Sequence, residues 1–262
     1  RILVAGATGS IGLHVVNTAI KMGHQPVALI EIAQSEIASS RNRYFFYGDV
    51  SLPETLTELP KDIDAIIFTL GSDGQGRIGA RAIDYGGVRN ILRIFMDTPV
   101  RIALMTTIGE LSGSVAGINV LKFMTGRDAL NACQSQWAYL HYRQTRLVDY
   151  NNDDEHRIVM LQGDRRHAGT PEDGVISREQ IAQVLVSALT HDEAKNKTFE
   201  LVAEQGEAQQ DLTPLFADLL ADDPQKNDGV LDIDNMQLRE EPECIINEHE
   251  PVFEKKLTNL QP

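Results

Sequence analysis

The stretch Ile2–Gly12, ILVAGATGSIG, constrains the fold more than any other part of the chain. An apolar run passes straight into Gly6-x-x-Gly9-x-x-Gly12, and behind the glycines Ile11, Val15, Val16, Ala19 and Ile20 recur at helical spacing. Leu3–Ala5 reads as a strand, Gly23 as the helix stop and Pro26–Ile30 as a second strand, completing a βαβ unit. Glycines at such a turn let the backbone approach a ligand closely, and the first N–H groups of the helix, with its dipole, favour an anion. The arrangement suits a pyrophosphate. A glycine triplet by itself also serves tight packing in an α/β sheet that binds no nucleotide; here the strand before it and the helix behind it favour the nucleotide.

The same alternation continues. Strand-like runs at Tyr44–Tyr47, Ala65–Leu70 and Ile102–Thr106 are separated by helical segments, the pattern of a parallel sheet covered on both faces. Ala80–Met96 reads as a long helix with Ile83, Val88, Ile91, Leu92 and Phe95 toward the sheet, where Gly86 and Gly87 weaken the helix and permit close packing. Ser177-Arg178-Glu179-Gln180 is a capping box ahead of Ile181, Val184, Leu185, Ala188 and Leu189, and Lys197–Ala203 reads as a further strand. Between them, Gly163–Gly174 reads as a loop or hairpin bordering a substrate cleft. From Pro214 on, a short apolar helix (Leu215, Phe216, Leu219, Leu220) precedes acidic loops.

The 262 residues suffice for one large α/β domain or a domain with a modest lobe. A formal net charge of −14 argues against a nucleic-acid backbone or an anionic membrane as partner. The acidic residues crowd the C-terminal portion, from Asp211 to Glu243, as a solvated face. Cys133 and Cys244 are too few for a disulfide framework, and no signal peptide or bilayer-spanning run is evident, so a cytoplasmic location is expected. The chain starts at Arg1 without an initiator methionine, and is expected to lack part of the natural N-terminus.

Several short motifs, in order, resemble the atypical short-chain dehydrogenases/reductases, specifically the NAD(P)-binding, NmrA-like group. They are Gly6-Ala7-Thr8-Gly9-Ser10-Ile11-Gly12, Gly48-Asp49-Val50, Thr69-Leu70-Gly71, Tyr85-Gly86-Gly87-Val88-Arg89-Asn90 and Thr106-Thr107-Ile108-Gly109. The resemblance covers Ile2 to about Gly109 and about Asp149 to Ala208. It implies that Gly6 and Thr8, Gly9, Ser10, Ile11 and Gly12 cradle the pyrophosphate, that Asp49 and Val50 border the adenine, and that Thr69, Leu70 and Gly71 pass under the nicotinamide-side ribose; Thr106 is counted with the cofactor-binding residues, and Thr106 or Thr107 is a candidate contact for a substrate hydroxyl. Physically, Asp49 can accept from an exocyclic amine or cap a turn, and Gly71 leaves room for a sugar. Glu31 closes the second strand, where an acid favours NAD through the ribose 2′-hydroxyl, yet Arg41 and Arg43 stand close enough in sequence to meet the 2′-phosphate of NADP. The cofactor is therefore read as NAD(P), with the choice open.

The likeness is weaker on the substrate side. The usual Tyr-x-x-x-Lys pair is absent; Tyr139-x-x-x-Arg143 and Tyr142-x-x-x-Arg146 are the nearest arrangements, and an alternative alignment on Arg146-Leu147-Val148 brings Trp137 and His141 to the two places. Thr107, Tyr139 and Arg143 are taken as the candidate catalytic set, in which the phenol would move a proton and the guanidinium would supply the charge. Glu110–Gln136 fits the family poorly. Where the family has an apolar strand, Val148 runs into Asp149-Tyr150-Asn151-Asn152-Asp153-Asp154, so either Arg157–Leu161 replaces that strand or residues are missing there.

The expected architecture is a Rossmann-type, doubly wound parallel α/β sheet (1–150) with a C-terminal segment (151–262) that supplies a small substrate lobe and returns a helix and strand to the sheet. The expected function is hydride transfer between NAD(P) and a small carbonyl, alkene or quinone-like substrate, with no metal. The alternatives are a non-catalytic redox sensor acting on a protein partner, favoured by the missing Tyr/Lys pair, and a sugar-nucleotide epimerase or dehydratase.

Overall fold

Four consecutive apolar residues, Ile2–Ala5, form β1, and all four are buried because both faces of the sheet are covered. The computed structural model describes residues 1–31, 44–72, 75–108, 115–125, 153–162 and 175–221. Helix α1 (Gly12–Lys21) follows the glycine turn, and Gly23 at φ 84° lets the chain turn back into β2 (Pro26–Ile30). β3 (Phe45–Tyr47) and β4 (Ala65–Phe68) come next, then one continuous helical run made of α2 (Gly76–Gly79), a π-helical turn (Ala80–Tyr85) and α3 (Gly86–Ile94). After β5 (Pro99–Ile108) lie β6 (Val115–Thr125), β7 (His156–Leu161), α4 (Arg178–Ala188), β8 (Lys197–Gln205) and α5 (Thr213–Ala217).

The strands make one eight-stranded sheet in the order β3-β2-β1-β4-β5-β6-β8-β7. The first five are parallel, with Leu3 opposite Val27 on one side and Ile66 on the other. The order reverses between β1 and β4, the kind of switch point outside whose strand carboxyl ends open α/β sheets bind ligands. Side chains alternate between two cores. Ile2, Val4 and Ile67 point to the face packed by Val15 and Ala19 of α1 and by Ile181, Val184 and Leu185 of α4. Leu3, Ala5, Ile66, Phe68, Ile102 and Leu104 point to the other, against Val88, Ile91, Leu92 and Phe95.

The expected strands and helices up to β5 are present, and β5 reaches three residues further toward the N-terminus than the apolar run. The poorly fitting stretch Glu110–Gln136 contains a strand the sequence did not reveal: β6 runs antiparallel to β5 along its length and to β8 on its other side. Arg157–Leu161 does enter the sheet, but as the edge strand antiparallel to β8, while β6 takes the place beside β5. Val148–Asp149 and Gly163–Gly174 lie outside the described residues. The C-terminal strands and α4 complete the sheet across the expected boundary at 150.

Local chemistry fixes these later elements. The Ser177 capping box is closed, with Gln180 N–H donating to Ser177 Oγ at 3.1 Å, and Ser177 Oγ itself donates to Asp153 at 2.8 Å. The Gln209 amide bonds both the N–H and the C=O of Ile158, at 2.8 and 2.7 Å, occupying backbone groups of the edge strand that would otherwise be open to pairing. Lys197 is buried and donates to the Phe216 and Leu219 carbonyls, both at 2.6 Å, satisfying the end of α5. Arg101, buried in β5, donates to the His191 carbonyl and lies 3.6 Å from Asp192; burial lowers its pKa and the Asp192 charge opposes this.

Candidate functional site

The turn after β1 is built by its glycines. Gly6 adopts φ 85°, and a Cβ there would stand 2.5 Å from the Thr69 carbonyl, so only glycine lets β1 and β4 end this close together. Gly9 N–H donates to Gly6 C=O at 3.0 Å, closing the turn, and the helical ladder begins with Leu13 N–H to Gly9 C=O at 3.1 Å. The amides of Ser10, Ile11 and Gly12 precede that first helical donor and form the open N-terminus of α1. Thr8, Gly9 and Ser10 are exposed, while Ile11 and Gly12 are buried. Among the described residues, chain neighbours aside, a Cβ on Gly9 would meet nothing within 4 Å but the Gly6 carbonyl at 3.2 Å, so they leave the space above Gly9 open. These are the requirements of a pyrophosphate cradle.

Thr69 ties the end of β4 to this turn. Its N–H and hydroxyl both donate to Ala5 C=O, at 2.9 and 3.1 Å, and the side chain is buried. Leu70 is half-buried and Gly71 exposed, so the chain rises from the sheet within two residues. On the other side of β1, Gly48 N–H donates to Ile30 C=O at 3.0 Å, next to exposed Glu31 at the end of β2. Asp49 is half-buried, and its Oδ1 accepts from Ser51 N–H at 2.8 Å and Ser51 Oγ at 2.7 Å, while its own N–H donates to Thr55 Oγ1 at 2.9 Å. The carboxylate therefore caps a turn through Oδ1, one of the two roles open to it in the sequence. Thr106 and Thr107 lie near the C-terminal end of β5, opposite Gly117 and Ala116 of β6. Tyr139, Arg143, Arg41 and Arg43 lie outside the described residues, as do Trp137, His141, Tyr142 and Arg146.

The glycine turn, the segment after β3 and the segment after β4 thus collect at the carboxyl ends of parallel strands, beside the reversal in strand order. The helical run behind them holds two of these segments. A Cβ on Gly87 would lie 2.9 Å from Val50 and 3.0 Å from Leu70, and one on Gly79 would overlap Gln75 and lie 3.0 Å from Ser72 Cβ. Ser72 Oγ also donates to Asp84 at 2.9 Å. In an unbroken α-helix two residues eight apart are rotated by about 80°; one extra residue absorbed in the π turn reduces this to about 20° and puts Gly79 and Gly87 on one face. Residue spacing did not reveal this π turn. Asn90, to which the sequence assigned no role, is buried, and Nδ2 donates to Val50 C=O at 2.9 Å. In the sequence it stands beside a charged residue, in Val88-Arg89-Asn90-Ile91-Leu92, so nothing local marked it as buried.

Among the described residues no group of three or more His, Cys, Asp or Glu side chains is arranged to hold a metal ion, and no helix is long and apolar enough to cross a membrane.

A family model described as NAD(P)H-binding matches residues 6–192, well over half of the chain. Photosystem II assembly factor Ycf39 of Synechocystis is 30% identical over 94 residues, which are 36% of this chain and 29% of that protein. Isoflavone reductase homolog A622 of Nicotiana tabacum is 34% identical over 80 residues, 27% of this chain and 26% of the relative. The chain therefore spans less than a third of the length of the curated relatives it matches. Among solved structures, a Bacillus halodurans protein assigned as an NAD-dependent epimerase/dehydratase superposes with a TM-score of 0.52 at 15% identity, covering 79% of this chain and 95% of that one, a likeness of fold.

Proposed function

The chain belongs to the NAD(P)H-binding family, among the atypical short-chain dehydrogenases/reductases, and from that premise we propose that it is an oxidoreductase of the NmrA-like group acting on a small carbonyl, alkene or quinone-like substrate. The observation that carries this is the glycine turn: an open space over Gly9, facing helix amides and the reversal in strand order. Gly6, Thr8, Gly9, Ser10, Ile11 and Gly12 hold the pyrophosphate. Asp49 and Val50 border the adenine, with Oδ2 as the acceptor left beside the Ser51-bound Oδ1. Thr69–Gly71, with Thr106, line the nicotinamide-side ribose. When bound, NAD(P) supplies the hydride or takes it up. Glu31, exposed at the end of β2, selects NAD by accepting from the ribose 2′-hydroxyl and repelling a 2′-phosphate.

Thr107 at the end of β5 orients the substrate oxygen, Tyr139 transfers the proton and Arg143 supports the phenolate. The small substrate lobe is drawn from residues 151–262. A second reading, a cofactor-binding sensor that reports redox state to a protein partner, is favoured by the missing Tyr-x-x-x-Lys pair and by a relative that is named an assembly factor.

The test is cofactor consumption, followed optically with NADH and NADPH over a panel of small quinones, aldehydes, ketones and activated alkenes. Saturable oxidation that Tyr139→Phe lowers by about a hundredfold, at unchanged cofactor affinity, supports the enzyme and its proton donor. Tight cofactor binding without turnover, together with a partner whose binding depends on the cofactor's redox state, replaces it by the sensor.

A further inference from the structure

We propose that Asn90 is a positioning residue for adenine recognition: from inside α3 it holds the Val50 carbonyl and so sets where Asp49 and Val50 meet the base. The inference rests on the placement of the adenine at those two residues. Asn90 is 5% exposed; it follows half-buried Arg89, and Val88, Ile91 and Leu92 of the same helix are each exposed by 2% or less. Its Nδ2 donates to Val50 C=O at 2.9 Å, while Oδ1 is buried with no hydrogen-bond partner among the described residues.

As a stabilising device this is a poor choice. A buried amide with one end unsatisfied pays a desolvation cost that a single hydrogen bond does not clearly repay, and an apolar side chain of similar shape would serve the helix as well or better. What the amide provides is direction. The segment Gly48–Val50 is fixed at its start by Gly48 N–H to Ile30 C=O and in its middle by the Asp49 contacts to Ser51 and Thr55. The Val50 side chain rests against Gly87, where a Cβ would be 2.9 Å away. The bond from Asn90 fixes the remaining freedom, the orientation of the Val50–Ser51 peptide, whose other end, the Ser51 N–H, holds Asp49 Oδ1 at 2.8 Å.

An exocyclic amine donates to a carboxylate, whereas the carbonyl of hypoxanthine at the same place repels it. Discrimination between NADH and its hypoxanthine analogue therefore reads the placement of Asp49, which a merely structural role for Asn90 would not move. The wild-type protein should bind NADH about tenfold more tightly than the analogue, as suits one charge-assisted hydrogen bond. Asn90→Leu should melt at the same temperature or higher, and the discrimination should fall to about twofold or less because NADH affinity drops. Asn90→Ser, which is small enough to fit in any case, should lose discrimination likewise. Full discrimination in either folded variant overturns the inference while leaving the adenine placement intact. Absence of discrimination in the wild-type protein overturns the adenine placement itself, and the inference with it.

Discussion

A Cβ added at Gly12 would fall onto the Gly6 carbonyl and 2.8 Å from Ala7 Cα, both backbone atoms with nowhere to go, whereas at Gly9, among the described residues, it meets only the Gly6 carbonyl at 3.2 Å. The two glycines are interchangeable in a sequence motif and differ in what they protect: Gly12 the junction of turn and helix, Gly9 the space outside it. Gly12→Val should cost about 4 kcal/mol or more, read as a large drop in melting temperature or loss of soluble protein. A variant that melts like the wild type would show that the turn is not packed in this way. At Glu31 the issue is charge. Replacing Glu31 by Arg should move preference toward NADP by about tenfold, through lost repulsion and a charge-assisted contact, and equal changes for both cofactors in a binding titration would remove Glu31 from the ribose. The tight turn at the glycines and the turn-capping carboxylate of Asp49 were legible because backbone approach and carboxylate chemistry are written in residue type. Asn90 was not read, because its role depends on a carbonyl forty residues away, on another element.

At the scale of elements, helix α5 gives a test with a definite sign. Asp211 Oδ1 accepts from the Thr213 hydroxyl at 2.6 Å and from the Thr213 N–H at 2.9 Å, and these bonds, the hydroxyl first, hold its pKa below the ordinary aspartate value. A folded-state pKa that is depressed gives stability which is complete above the unfolded value of about 3.9 and is lost as pH falls through the lower folded value. Melting curves of the wild type and Asp211→Asn should therefore differ near neutral pH, with the wild type more stable, and converge as pH drops below about 3.9. A gap that is independent of pH would mean that the start of α5 is not capped by the carboxylate. Elements with strong periodicity were legible, β1, α1 and α4 above all, since burial against a sheet imposes apolar spacing and Ser177–Gln180 closes a local box. β6 was not, because Val115–Thr125 follows a glycine- and serine-containing stretch and pairs with β5 and β8 across long sequence separations. The π turn was equally hidden: an extra residue in one helical turn leaves composition unchanged and alters only which residues share a face.

For the whole molecule, the five parallel strands and the helices on both faces were legible from alternation alone, while the antiparallel edge was not, since its order β6-β8-β7 follows from pairing choices that no local pattern records. The architecture places three separate chain segments at one end of the sheet, and the claim that a dinucleotide lies across them rests on the turn between β1 and α1. The most direct measurement is a calorimetric titration of NADH, or of whichever nicotinamide cofactor binds more tightly, into the wild type and into Gly9→Val, with melting curves recorded on both proteins. The expected result is saturable binding to the wild type at one site per chain, and in the variant a melting temperature within a few degrees but affinity reduced by at least about a hundredfold, because the valine occupies the path of the pyrophosphate and not the core. Unchanged affinity in a folded Gly9→Val protein would contradict the placement of the cofactor.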